Sequence, residues 1–390
     1  MSNAVPNRFM HTLALALGVF VVGTCSGPIL ANPPAVAGAP IVKATPPPPR
    51  NDPQPVQFPR DDAPHDRLTE WWYVTGHLTT LDGSRAFGYE AVIFRAIRGD
   101  FPVTWASHMA LTEQPRPGRE GSFTYYERAE IGPQVDITAM IDGPIAAAFA
   151  ITGADPLDPA TFENEPWSMI VGLDGSMQIG AEWFDLQLAA PEAPVLHDND
   201  GWVDFDVAGG SYYYSRTRMP TGGTLTVDGE KLAVQGTSWF DHQWGDFIAV
   251  GGGGWDWFAL TLDDGSARGI EVTLSFVRAA DGSYPLIYGT WIDGDGRYAR
   301  IDGSEIDLNP TGEWTSPHTG TTWPSGWELE IASRGLKVTI TPDVLDQELD
   351  TRATTGVIYW EGSNTVRGSL GSRTIRGDAY VELTGYASLR

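Results

Sequence analysis

The residues of this 390-residue chain best suited to chemistry lie in Gly236-Thr237-Ser238-Trp239-Phe240-Asp241-His242-Gln243-Trp244-Gly245-Asp246. An acid and an imidazole are adjacent there, flanked by indoles. Gly251 to Gly254 follow, then Trp255-Asp256-Trp257-Phe258, a second acid between two more Trp. A carboxyl in an apolar, aromatic setting holds its proton more tightly and can donate it near neutral pH. An imidazole can take a proton from water, and indole faces stabilise a developing cation. Acid, base and aromatic wall together suit the acid-catalysed addition of water to an alkene. Asp241 or Asp256 is then the acid, His242 the base or water positioner, and Trp244, Trp255 and Trp257 the wall. The same residues also fit a Trp-rich core strand with a hydrogen-bonded His and a surface Asp.

A second candidate acid is Glu70, in Glu70-Trp71-Trp72-Tyr73. Trp72, Tyr213, Trp239, Trp255 and Trp257 are the aromatic residues expected to touch a ligand. His108 reads as a hydrogen-bonded core histidine. In Tyr212-Tyr213-Tyr214-Ser215-Arg216-Thr217-Arg218, either arginine can pair an inward carboxylate. Other chemistries lack their residues. GxxxxGK[ST], GxGxxG, GxSxG and HExxH are all absent. Seven His with no close pair in the sequence give no His-rich metal site. No metal or organic cofactor is therefore expected. Asp198-Asn199-Asp200-Gly201 and Asp293-Gly294-Asp295-Gly296 are acidic but complete no EF-hand loop, and read as turns.

Short runs of alternating apolar and polar residues must position these groups, as in SMQIGAEWFDLQLAA and WELEIASRGLKVTITPD. Asp-Gly steps recur between them, at Asp82-Gly83, Asp174-Gly175, Asp228-Gly229, Asp264-Gly265, Asp281-Gly282 and Asp302-Gly303, and suit tight hairpins. No long amphipathic helix is evident. The expected fold is all-β, with two antiparallel barrels packed together. The polar, turn-rich MPTGGTLTVDGEK suggests a boundary there, giving barrels over residues 56–230 and 231–390. The Trp-rich strands at Glu70 and Ser238 would then open the two halves. Alternation places Asp241, Gln243 and Gly245 on one strand face and His242 and Trp244 on the other.

Asp plus Glu number 50 against 25 Lys plus Arg, a net charge of −25. That leaves no basic footprint for nucleic acid and disfavours anionic lipid surfaces. The favoured partner is a neutral, apolar small molecule. Residues 12–22, TLALALGVFVV, follow Arg8 with no acid before Asp52, which reads as a secretory signal peptide ending near Ala31. Cys25, the sole cysteine, stands where a lipoprotein carries its lipidated cysteine, so a membrane tether through it is an open alternative. Residues 32–55 are a Pro-rich linker. The protein is thus expected to be secreted or periplasmic. The sequence carries no signal of oligomeric state.

Several stretches resemble the AttH-type lipocalin-like family, which includes carotenoid 1,2-hydratases and bacterial proteins labelled secreted hydrolases. They are His65 with Glu70-Trp71-Trp72-Tyr73-Val74-Thr75-Gly76-His77-Leu78, Tyr212 to Met219, and Ser238 to Gly245. Tyr359-Trp360-Glu361-Gly362 and Gly377 to Tyr386 complete the set. The resemblance implies two lipocalin-like barrels and, for the hydratase branch, water addition to a terminal isoprenoid double bond. It implies functional roles for His242 and Trp244. The hydratases carry a downstream Tyr-x-Asp whose Asp is favoured as proton donor. This chain has none at a comparable distance, which leaves Asp256, Asp241 and Glu70 as substitutes. The expectation is a hydratase acting on a terpenoid or carotenoid. A lipocalin-like carrier of an apolar ligand and a secreted hydrolase are the alternatives.

Overall fold

The computed structural model describes residues 50–98, 102–132, 143–153, 166–205, 209–247, 252–266, 268–279 and 281–387. The expected signal peptide, Cys25, most of the Pro-rich linker and Gly251 lie outside them. Strands dominate, with no α-helix among the described residues.

The first sheet contains β1 (Thr69–Thr80), β2 (Ala86–Ala96), β3 (Thr104–Glu113), β4 (Ser122–Ile131), β5 (Ile145–Ile151) and β6 (Trp167–Gly172). It continues with β7 (Met177–Gly180), β8 (Phe184–Leu188), β9 (Val195–Leu196), β10 (Trp202–Asp204), β11 (Gly210–Val227) and β12 (Glu230–Gly245). The second contains β13 (Gly252–Asp263), β14 (Ile270–Ala279), β15 (Leu286–Ile292), β16 (Tyr298–Asp302) and β17 (Ile306–Thr315). It ends with β18 (Thr322–Ile331), β19 (Leu336–Pro342), β20 (Glu348–Thr351), β21 (Val357–Leu370) and β22 (Arg373–Thr384). The order is β4-β3-β2-β1-β12-β11-β8-β7-β6-β5 in the first sheet and β16-β15-β14-β13-β22-β21-β19-β18-β17 in the second. The first nearly closes into a barrel, and the second is a curled half-barrel.

Both sheets are wound alike. A four-strand meander opens each, and its first strand pairs with the last strand of the same sheet, β1 with β12 and β13 with β22. This corrects the expected boundary. Asp228 and Gly229, with φ of 51° and 80°, form the two-residue turn of the β11–β12 hairpin, where Val227 pairs with Glu230. The polar stretch is a hairpin tip, and the chain passes to the second sheet only between Gly245 and Gly252. The Trp-rich strands β1 and β12 are therefore neighbours in one sheet, with Trp72 opposite His242 and Tyr73 opposite Asp241. The counterpart of β1 is β13.

Outer strands such as β8 alternate buried and exposed residues. In β12, every residue from Ser238 to Gly245 is buried. One face packs inside the first barrel, around Trp72, Phe240 and Trp244. The other meets the second sheet, around Tyr73, Trp239 and Trp257. Strands covered on both faces lose the simple alternation.

The N-terminal segment is tied down earlier than the expected folded start at residue 56. Arg67 forks onto Asp52 with both contacts at 2.7 Å and reaches Asp246 at 2.9 Å. Asp62, fully buried, accepts from the Arg216 guanidinium at 2.9 Å and from the Tyr214 hydroxyl at 2.5 Å. Arg218 pairs with buried Glu271. Both arginines thus meet inward carboxylates, as expected.

The sheets approach most tightly where β2 crosses β21. A Cβ on Gly88 would lie 2.3 Å from the Ser363 Cβ. Gly88→Ala is expected to cost about 2 kcal/mol of unfolding free energy through overpacking. Gly88→Ala with Ser363→Gly should cost less than the two single changes summed, as urea denaturation of all three variants would show.

Candidate active site

The expected site residues separate into three places, because neighbours on a strand face opposite ways. Asp241, Tyr213, Trp255 and Trp257 line a cavity between the two sheets, with Trp239 hydrogen-bonded behind Asp241. Glu70, Trp72, His242 and Trp244 lie inside the first barrel. Asp256, opposite in direction to Trp255 and Trp257, points into the second sheet. There it pairs with Arg278 at 3.0 Å and accepts from the Tyr386 hydroxyl at 3.0 Å. The expected alliance of Asp256 or Asp241 with His242 in one pocket is therefore overturned.

The cavity has an interior of about 90 Å³, several times what one water needs. Trp71, Tyr73 and Phe94 of the first sheet, with Phe247 just past β12, face Trp255, Trp257, Val277 and Tyr288 of the second. The Trp71 and Trp255 rings are nearly parallel, 10° apart in plane and 6.4 Å between centroids. Three carboxyls line it: Asp241, Glu361 and Glu382. Among the described residues, no Lys, Arg or His does.

Each carboxyl is held by donors from aromatic side chains. The Tyr213 hydroxyl and the Trp239 indole each donate to Asp241 at 2.6 Å, and Ser215 also donates. The Trp257 indole donates to the Tyr213 oxygen at 3.0 Å. The Trp255 indole donates to Glu382 at 2.9 Å, and the Tyr73 hydroxyl donates to Glu361. Burial pushes Asp241 up to about 6 against these hydrogen bonds. Burial also pushes Glu382 up to about 7, with the Trp255 bond opposing it. Glu361 is raised well above the usual carboxylate range by burial and by Glu90 and Glu382 nearby. The cavity thus presents both neutral and ionised carboxyls near pH 7.

Inside the first barrel, the fold brings together two histidines distant in sequence. Glu70 Oε1 lies 2.6 Å from His65 Nδ1 and 3.0 Å from His242 Nε2. His65 also stacks on Trp244, 4.1 Å between centroids and 2° from parallel. Burial acts to raise the Glu70 carboxyl, but bonds from His242 and His65 outweigh it and hold it low. Burial lowers His242. Burial acts to lower His65 too, but Asp61 and Glu70 outweigh it and raise it. The ligand atoms of His65, Glu70 and His242 lie within 4.8 Å of one another, a metal-like grouping that the sequence spacing did not suggest. Glu70 Oε1 already bridges both rings, and the Arg95 guanidinium stands 3.6 Å from its other oxygen. With a cation so near, this is a hydrogen-bonded clamp that fastens the N-terminal segment to β1 and β12.

Glu361 and Glu382 received no role from sequence reasoning, although both lie in the stretches that carried the family resemblance. A signal was present. Each stands two residues after a tyrosine, as Tyr359-x-Glu361 and Tyr380-x-Glu382, in the locally apolar runs Val357-Ile358-Tyr359-Trp360 and Ala379-Tyr380-Val381. These are Tyr-x-acid pairs with Glu where a Tyr-x-Asp was sought.

Two antiparallel β domains with an acid-lined aromatic cavity at their junction define a lipocalin-like protein. A family model described as AttH-like matches residues 49–386, and the chain belongs to that family. It is similar to a solved AttH-type structure from Nitrosomonas europaea at 27% identity, with a TM-score of 0.68. That match covers 86% of this chain and 98% of the other. Kievitone hydratase from Nectria haematococca shares the fold at 18% identity and a TM-score of 0.63, over 86% of this chain and 94% of that one. No curated protein matches.

The two carboxyl groups predict opposite pH effects. Glu70 is depressed, so its stabilisation is present above its unfolded value and is lost as pH falls through its folded one. Glu70→Gln is expected to cost about 3 kcal/mol at pH 7, as for one partner removed from a buried pair. That cost should shrink in acid, by guanidinium unfolding at pH 7 and pH 3. Asp241 is raised to about 6 from 3.8, so wild type loses stability between those values. Relative to wild type, Asp241→Asn should gain about 3 kcal/mol as pH rises from below 4 to above 6.

Proposed function

We propose that the protein is a hydro-lyase that adds water across a carbon–carbon double bond of an apolar ligand held between the sheets. One observation carries this reading: three buried carboxyls share an aromatic cavity with no cationic side chain among its described lining residues. A cavity built only to hold an apolar ligand has no use for three carboxyls, whose burial without a cation is costly. The hydratase activity in the name of the kievitone hydratase relative supports the same class of chemistry.

In this reading Glu382, raised to about 7, donates its proton to the terminal alkene carbon. Its proton affinity is close to that suited to general-acid work at neutral pH. The positive charge develops on the adjacent carbon, facing Trp71, Trp255 and Trp257. Water adds to that carbon, and Asp241, ionised above about 6, takes the surplus proton. Balanced over one turnover, alkene plus water gives alcohol, with Glu382 left charged and Asp241 neutral. The favoured substrate is the unsaturated end of an acyclic terpenoid or carotenoid, because the cavity suits a chain end better than a whole polyene. His242 and Trp244 act in this account through the clamp that fixes β12, and Asp256 through its pair with Arg278.

The test is to incubate the protein with linear terpenoids and acyclic carotenoids in detergent. Mass spectrometry then seeks a product heavier by one water. Glu382→Gln and Asp241→Asn should each lower kcat by about 100-fold. The rate should peak between about pH 6 and 7, falling above as Glu382 loses its proton and below as Asp241 gains one. Recovery of bound but unaltered ligand from every incubation would replace this reading with that of a carrier.

A further inference from the structure

The acid chemistry above leaves one set of buried polar groups without a task. Behind the cavity, on the side of β2, β3 and β4, the sheets enclose Glu90, His108, Glu127, Thr354 and Tyr359, all at most 3% exposed. A polar group shut away from water is expensive unless bonded, and these are bonded in series. The Thr354 hydroxyl is hydrogen-bonded to Glu127 on the edge strand β4 and lies 3.1 Å from His108 Nε2. His108 Nδ1 lies 2.7 Å from the Tyr359 hydroxyl, which reaches Glu90 Oε1 at 3.3 Å. Glu90 on β2 and Glu361 on β21 lie where the two sheets pack together, and each carboxyl shifts the other's proton affinity. Glu90 Oε2 has no hydrogen-bond partner among the described residues, so it is available to share a proton with Glu361. Glu361 is the direct cross-strand partner of Glu382 in the β21–β22 ladder. Opposed residues of an antiparallel pair bring their side chains side by side on one face.

We propose that this series is a proton path that reloads the cavity's acid from the turn joining β20 to β21 while ligand fills the cavity. The need follows from the proposed reaction, on which the role rests, although the path is tested without turnover. An apolar ligand in so small a cavity leaves room for little more than the reacting water, and once that water has added, Glu382 has no solvent on the cavity side from which to recover its proton.

The path balances. Glu382 takes a proton from Glu361, and Glu361 takes one from Glu90. Glu90 takes the phenolic proton of Tyr359, whose oxygen receives the His108 Nδ1 proton. His108 Nε2 then takes the Thr354 hydroxyl proton, which at rest is donated to Glu127, and water at the turn that carries Thr354 replaces it. Nothing is oxidised or reduced, and one proton enters for each that Asp241 later releases. Burial keeps His108 neutral, at about 3, so it carries one N–H and one lone pair. A neutral imidazole of that kind can receive at one nitrogen while it gives from the other. The outer end lies beneath the turn joining β20 to β21, two residues from exposed Arg352.

The test follows the infrared band of a protonated carboxyl, assigned by its loss in Glu361→Gln, on transfer of the full-length protein into D2O. The cavity is filled with 2,6-dimethyloctane, a saturated chain that cannot be hydrated. Wild type should still exchange that proton. Tyr359→Phe and Thr354→Val, each close in shape to the original, should slow exchange by roughly tenfold or more, because it then needs local opening. Equal rates in wild type and both variants would overturn the path. So would arrest of exchange in wild type by the hydrocarbon, since the cavity would then be the route. Absence of a water adduct in the terpenoid assay would remove the proposed reaction but leave the exchange result standing.

Discussion

The pairing of β1 with β12 is the constraint on which the rest depends. It places Trp72 beside His242 and Tyr73 beside Asp241, and so commits adjacent residues to different compartments. The even-numbered positions on both strands build the interior of the first barrel. The odd-numbered ones build a wall of the cavity. Neither set could move without dragging the other. The buried clamp of Glu70 between His65 and His242 fixes the same two strands from inside. The cavity geometry is therefore an outward consequence of packing in a core that the cavity does not enter.

Much of the architecture was legible because its signals are local. Period-two alternation and Asp-Gly turns marked strands and hairpins, and the density of short strands pointed to two β domains. Facing of Asp241 against His242 followed from alternation alone. What was not legible depends on contacts between residues far apart in the chain. Val227-Asp228-Gly229-Glu230 is polar whether it caps a hairpin or joins two domains, and only the pairing of its flanks decides. The proximity of His65 to His242 likewise arises from the return of the chain across the barrel. Asp256 looked suitable because two Trp flank it in sequence, yet the same alternation turns it toward Arg278 and away from them. Glu361 and Glu382 were hidden for the opposite reason. A glutamate in a strand is ordinarily a solvent-facing residue, and nothing within either strand tells that a second sheet covers that face.

The chemistry of the cavity follows from what surrounds the carboxyls more than from the carboxyls themselves. Tyrosine hydroxyls and indole N–H groups supply hydrogen bonds to them without supplying charge. An arginine in their place would supply charge, as Arg216 does to Asp62. Donors of this neutral kind satisfy buried oxygens while leaving the proton affinity high. The contrast between Asp62, held by Tyr214 and Arg216, and Asp241, held by Tyr213 and Ser215, shows both choices made on opposite faces of β11.

The like winding of the two sheets has an evolutionary reading. Each sheet carries its own aromatic and aliphatic core, and the cavity belongs to neither. Substitutions at the seam alter the cavity wall while both cores keep their packing. A chain built in this way can diverge in what it recognises without first re-solving how it folds. Two shells of one winding, placed back to back, give natural selection a surface that is enclosed like an interior and as free to vary as an exterior.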